Sequence, residues 1–69
     1  MKIVYSGHAQ KRCRERGITE EEVEHVLNHP TYIKKSFEGR KVAVGETNNR
    51  IVKVVFVEGQ SYIKIITVI

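Results

Sequence analysis

The sequence predicts an α+β domain with two short N-terminal helices packed on a four-stranded antiparallel meander sheet. Three observations carry this. Residues 6 to 28 hold the start and stop signals of two helices, with one sharp break at Gly17. The chain after Pro30 changes to runs rich in Val and Ile, as strands are. Three short breaks, Glu38-Gly39, Asn48-Asn49 and Glu58-Gly59, divide that half into four strands.

Residues 1 to 5, Met-Lys-Ile-Val-Tyr, form an extended lead-in suited to an edge strand. Ser6 is placed to cap a first helix over residues 7 to 16, and Gly17 to end it in a left-handed conformation. The apolar side of that helix is thin, Ala9 and Cys13. Thr19 opens a second helix over residues 20 to 28, and Glu22 completes a Thr-x-x-Glu capping box. Val23, Val26 and Leu27 line one face of this helix, its outer face is Glu-rich, and Pro30 forbids continuation. The strands follow as Thr31 to Phe37, Lys41 to Glu46, Arg50 to Val57 and Ser61 to Ile69. Each break suits a two-residue hairpin turn, because Gly and Asn tolerate positive φ.

A chain of 69 residues is one domain, 1–69, and buries only about 60% of its extended surface. It has little to spare for a deep pocket, so an open face or groove is the expected site. Twelve Lys and Arg against eight acidic residues, all Glu, give a net charge of +4. This suits nucleic acid or an acidic protein. Cys13 is alone, so it forms no intramolecular disulfide and no thiolate cluster. No apolar run approaches the ~20 residues that span a bilayer, and no signal peptide is visible. The expected address is cytoplasmic, with no membrane partner.

The break between two helices invites comparison with helix–turn–helix DNA binding. The second helix would be the reader, and Glu20, Glu21, Glu22 and Glu24 on it would repel phosphate. His25 and His29 stand four apart, but no Asp or Cys joins them at suitable spacing, so no metal is expected. The stronger chemical candidate is His8-x-x-x-Arg12-x-x-x-Arg16 on the first helix. Residues four apart share a helix face. Imidazole titrates in a range that spans neutrality, and guanidinium charge is fixed. Together they suit acid–base work on an anionic substrate. The plainer reading is a solvated basic face, partly balanced by Glu15. No Gly-rich phosphate loop, nucleophile–His–acid set or paired acid motif is present, so the chemistry left is metal-free and needs no cofactor.

These residues also carry a resemblance. Ser-Gly-His8-Ala9-x-x-Arg12-x-x-x-Arg16-Gly17-Ile18-Thr19-Glu-Glu-x-Val23, then Pro30, then a strand ending Ile65-Ile66-Thr67-Val68, resembles a small domain-of-unknown-function family of bacteria and archaea, the one numbered forty-two fifty-eight. The similarity covers nearly the whole chain. That family is considered related in fold to RelE- and BrnT-like ribonuclease toxins, small α+β proteins that cleave RNA without metal. Carried over by residue, the resemblance marks His8, Arg12, Arg16 and Thr67. The family often places an aromatic after the final Thr-Val, where Ile69 stands here.

The leading expectation is therefore a toxin-like domain that binds RNA and supports its cleavage. The ribose 2′-hydroxyl would attack its own 3′-phosphate. His8 would be general base or acid, and Arg12 and Arg16 would hold the phosphate. Arg40, Lys53 and Lys64 would bind the substrate. The rival is a non-catalytic module for a protein or nucleic-acid partner.

Two-residue turns also set a register. Phe37 then opposes Arg40, Thr47 opposes Arg50 and Val57 opposes Gln60, so that Lys53 faces both Val44 and Lys64. Ala43, Val52, Val54, Phe56, Ile63 and Ile65 fall on the helix-covered face. The other face receives Ile33, Lys35, Phe37, Arg40, Val42 and Val44, with Lys53, Val55, Tyr62, Lys64 and Ile66. Two short helices cannot cover both faces. The expected cover for the second is another copy or an antitoxin-like partner, the alternative being residues 1 to 5 folding over it.

Overall fold

The computed structural model describes residues 2–69. Its elements are β1 (Lys2–Tyr5), α1 (Gly7–Arg16), α2 (Glu20–Asn28), β2 (Tyr32–Lys35), β3 (Lys41–Thr47), β4 (Arg50–Glu58) and β5 (Tyr62–Val68), with one 3₁₀ turn over Phe37–Gly39. Both helices have the bounds read from their caps. Ser6 Oγ accepts the Ala9 N–H at 3.0 Å. Gly17 closes α1 at φ 64°, ψ 35°. Thr19 and Glu22 form the reciprocal capping box at the start of α2. These signals act within one turn of chain, so they are legible locally.

The sheet corrects the four-stranded antiparallel reading. It has five strands in the order β1-β5-β4-β3-β2. β2, β3, β4 and β5 form the meander, and β1 adds to the outer side of β5 in parallel. Of the lead-in at 1 to 5, residues 2 to 5 are thus an edge strand and do not fold over the second face; Met1 lies outside the described residues. The partners of β1 are some sixty positions away in sequence, so no turn signal announces them.

Register decides the faces. The β3–β4 turn is as read: Asn48 and Asn49 have φ of 51° and 63°, Thr47 opposes Arg50, and Val44 opposes Lys53. The β2–β3 connection has three residues between Ser36 and Arg40, not two between Phe37 and Arg40. This one-residue slip flips β2, so Ile33 joins Ala43 on the helix side while Tyr32 and Lys34 pair with Val44 and Val42. The β4–β5 turn encloses Gln60 and Ser61, because Gly59 donates to the Tyr62 carbonyl at 2.8 Å. Val57 therefore opposes Lys64, and Lys53 pairs with Ile69. The expected Lys53–Lys64 opposition does not exist. A slip by an even number of residues leaves Ile63 and Ile65 on their expected face. A bulge at Ile66 then resets the alternation, so Val68 is buried on the helix side.

The helix-side core joins Ala9, Ile18, Val23 and Val26 to Ala43, Val52, Val54, Phe56, Ile65 and Val68. Ser6 stitches α1 to the bulge: its Oγ donates to the Ile66 carbonyl at 2.9 Å and its N–H to the Ile65 carbonyl at 3.0 Å. Val26 lies so close to Gly45 that a Cβ there would stand 3.2 Å from a Val26 methyl and 3.5 Å from its Cα. Arg50 donates to the carbonyls of Arg16 and Gly17 at 3.0 and 2.7 Å, and to both oxygens of Glu22 at 3.2 and 3.4 Å. Asn48 Nδ2 donates to Glu22 at 2.7 Å.

Hydrogen bonds from the Thr19 backbone and the Asn48 side chain, with Arg50 beside them, hold the buried Glu22 carboxyl below its usual 4.5. A lowered folded value means that the stabilisation is complete above pH 4.5 and is lost as pH falls through the folded value. Glu22→Gln will therefore flatten the acid limb of a urea-stability profile below that pH, whereas Thr19→Ala will cost about 1 kcal/mol at all pH values through loss of the cap. Gly45→Val will lower stability by about 1–3 kcal/mol in the same assay, because the backbone of α2 bars retreat of Val26.

Candidate nucleic-acid interface

The α1 turns place His8, Arg12 and Arg16 along one ridge. His8 and Arg16 are exposed and Arg12 is half-buried. Among the described residues, neither His8 nor Arg12 has a side-chain hydrogen bond, and neither lines the surface hollows of about 510, 340 and 320 Å³. Thr67 pairs with Val55, which puts it on the face of the sheet turned away from the helices. Its hydroxyl reaches only the Val68 carbonyl, at 3.4 Å. The structure thus aligns His8, Arg12 and Arg16 with one another and leaves Thr67 across the sheet from them. The His25 and His29 rings lie side by side with centroids 5.2 Å apart, tilted 40° to each other. Among the described residues no group of three His, Cys, Asp or Glu is arranged around a metal position.

The face away from the helices is built differently. Strand pairing arranges it in rows. One row runs Tyr32, Val44, Lys53, Ile69; the next runs Lys34, Val42, Val55, Thr67. A third holds Val57, Lys64 and Val4, and a fourth Tyr62 and Lys2. These four rows carry one lysine each, and a fifth, Glu46 with Ile51, carries none. Glu46 is the sole acid that the described pairings put here, whereas α2 exposes Glu20, Glu21 and Glu24 on the other side of the molecule. The floor valines are buried, at 7% exposure for Val42, 5% for Val44 and 9% for Val55. Long neighbours shelter them: Tyr32, Ile51 and Lys53 surround Val44 and leave a shallow hollow of about 340 Å³.

Of the sequence-marked binding residues, Lys53 and Lys64 lie on this face, two rows apart. Arg40 lies at its border on the β2–β3 turn, lining a hollow of about 320 Å³ with Lys35 and Lys41. The sequence reading missed Lys2, Lys34 and Tyr32 as members. Lys2 and Lys34 needed the β1–β5 and β2–β3 registers, which depend on distant partners and on loop length. The alternation along Tyr32-Ile33-Lys34 was visible, but not which phase of it faced the helices.

Fold and surface together define a small basic α+β domain with one helix-covered and one lysine-studded sheet face. A family model described as Domain of unknown function (DUF4258) matches residues 5–69, and the chain belongs to that family. Searches of curated proteins and of solved structures find no match.

Behind α1, burial pushes the Tyr5 phenol up to about 12, helped by Glu20, Cys13 and Glu24. Burial and Glu20 also raise the Cys13 thiol. Among the described residues the Tyr5 hydroxyl is buried without a hydrogen-bond partner. A buried donor that lacks an acceptor costs stability. Tyr5→Phe will therefore leave the thermal midpoint unchanged or raise it, and will remove the phenolate absorbance step near pH 12.

Proposed function

We propose that this protein binds single-stranded RNA across the lysine-studded face of its sheet. The observation that carries the reading is the segregation of charge. Four rows of that face each hold a lysine, two of the four also hold a tyrosine, and among the described residues Glu46 is the lone acid there. Cationic side chains meet the phosphates, and aromatic rings offer stacking surfaces to unpaired bases. Tyr32 and Tyr62 are 51% and 43% exposed, so both rings are open to contact.

Cleavage is the second layer of the proposal. His8 on the α1 ridge would take the proton of the ribose 2′-hydroxyl as that oxygen bonds to the adjacent 3′-phosphorus. The P–O5′ bond breaks, a 2′,3′-cyclic phosphate is left, and the proton passes to the departing 5′-oxygen. Arg12 and Arg16 would hold the phosphate charge. Its support is the shared ridge of these three side chains. Binding has the wider support, because the α1 ridge lies on the helix side of the sheet, across from the lysine rows, so an RNA held by those rows would reach His8 only by passing round a sheet edge.

An antitoxin-like protein or a second copy over the same face is the competing reading. Ile51 and Ile69, 66% and 53% exposed beside the valine floor, favour it. Charge would select an acidic partner surface.

Fluorescence anisotropy with a labelled single-stranded RNA separates these readings. About three to five neutralised phosphates would give a slope of log affinity against log salt near −2 to −3.5. Lys53→Glu and Lys64→Glu will each weaken binding and make that slope shallower. Affinity that is flat in salt removes RNA as the ligand. Incubating the RNA with protein in EDTA tests the cleavage step. Wild type will cut and His8→Ala will not, whereas equal background from both rejects catalysis and leaves binding intact. Sedimentation equilibrium of the free protein tests self-association over the same face.

A further inference from the structure

The helix-covered face is not fully covered. α1 and α2 have ten and nine residues, and they leave one end of the sheet bare. A trough of about 510 Å³ opens there beside α2. Its floor is apolar, made by Ile3, Ile33, Phe56 and Ile63 from the sheet, with Leu27 from α2 as one wall. Ile3 belongs to β1 and Ile33 to β2, the two opposite edge strands. The trough therefore runs across the whole sheet. Five strands make four gaps of about 4.8 Å, so its length is about 19 Å.

We propose that this trough is the docking site for an amphipathic helix of a partner protein, with an apolar stripe flanked by Lys or Arg. Length argues for a rod-shaped occupant, since a compact small molecule would fill only part of it. A helix of about 13 residues spans 19 Å. A helix also satisfies its own backbone, whereas an added strand laid on side chains would leave its N–H and C=O groups unpaired. Charge argues for a basic helix. Glu24 stands on one wall, and at the sheet end Glu58 and Lys41 pair with each other, so among the described lining residues Glu24 is the charge left over. Exposed Glu20 and Glu21 extend the acidic surface along α2.

A second copy of this chain does not fit the description. The apolar faces of its own helices, Ala9 on α1 with Val23 and Val26 on α2, are buried in its own core. The trough lies on the opposite side of the sheet from the lysine rows, so this docking site stands independently of the RNA reading.

Display of a peptide library tests the proposal. Fourteen-residue helical peptides would carry a constant apolar stripe, with flanking positions varied among Lys, Glu and Ser. Selection against the full chain will enrich Lys-flanked sequences. The winning peptide will shift the amide signals of Leu27, Ile33 and Ile63. Glu24→Lys, at an exposed site without a hydrogen bond, will weaken that peptide about three- to tenfold. No enrichment above background, enrichment without charge preference, or shifts confined to the Lys53 and Tyr62 face would each overturn it.

Discussion

Much of the architecture depends on one guanidinium. Arg50 opens β4 and reaches three elements from there: the last carbonyls of α1, the capping carboxylate of α2, and through Glu22 the Asn48 side chain of the β3–β4 turn. The carbonyls at a helix C-terminus have no partners within the helix and carry partial negative charge. Arg50 supplies both donors and charge to them. Glu22 would be costly to bury as a free carboxylate, and its hydrogen bonds from Thr19, Asn48 and Arg50 make its burial tolerable. The network is not saturated, since Arg50 Nε is buried without a partner among the described residues. Ser6 plays the matching part at the other end of α1. Two polar anchors therefore set the helix whose own apolar face is thin.

The sheet below has two unlike faces. The helix side is a continuous core for most of its length and then ends in an apolar trough with an acidic wall. The other side has a narrow valine floor under lysine and tyrosine side chains. Acids gathered on α2, a basic ridge on α1 and lysines spread across the open face distribute a modest net charge of +4 unevenly over the molecule. Separation of this kind matters more for recognition than the total, because phosphates respond to the local field. A thin two-layer domain thus presents two chemically different surfaces back to back.

Parity explains which site residues the sequence could place. The helix-side set Ala43, Val52, Val54, Phe56, Ile63 and Ile65 was legible despite a misplaced β4–β5 turn, because an even slip in register preserves the face of every residue. The slip at the β2–β3 loop was odd, so Ile33 and Lys35 exchanged faces with Tyr32 and Lys34. Glu38 takes φ 58° and Gly39 φ 75° in that loop, a three-residue solution that the Glu-Gly pair does not distinguish from a two-residue one.

By itself the sequence determined what short-range physics determines: the helix caps at Ser6 and Thr19, the stop at Gly17, the Asn48-Asn49 turn, and the apolar phase of β3 and β4. His8, Arg12 and Arg16 shared a ridge because a helix has a known pitch. The tertiary structure alone decided the parallel pairing of β1 with β5, the bulge that returns Val68 to the core, the rows that spread four lysines over one face, and the trough across all five strands. Each of these joins residues far apart in the chain. Their partners are selected by how whole elements pack, and no local pattern encodes that choice.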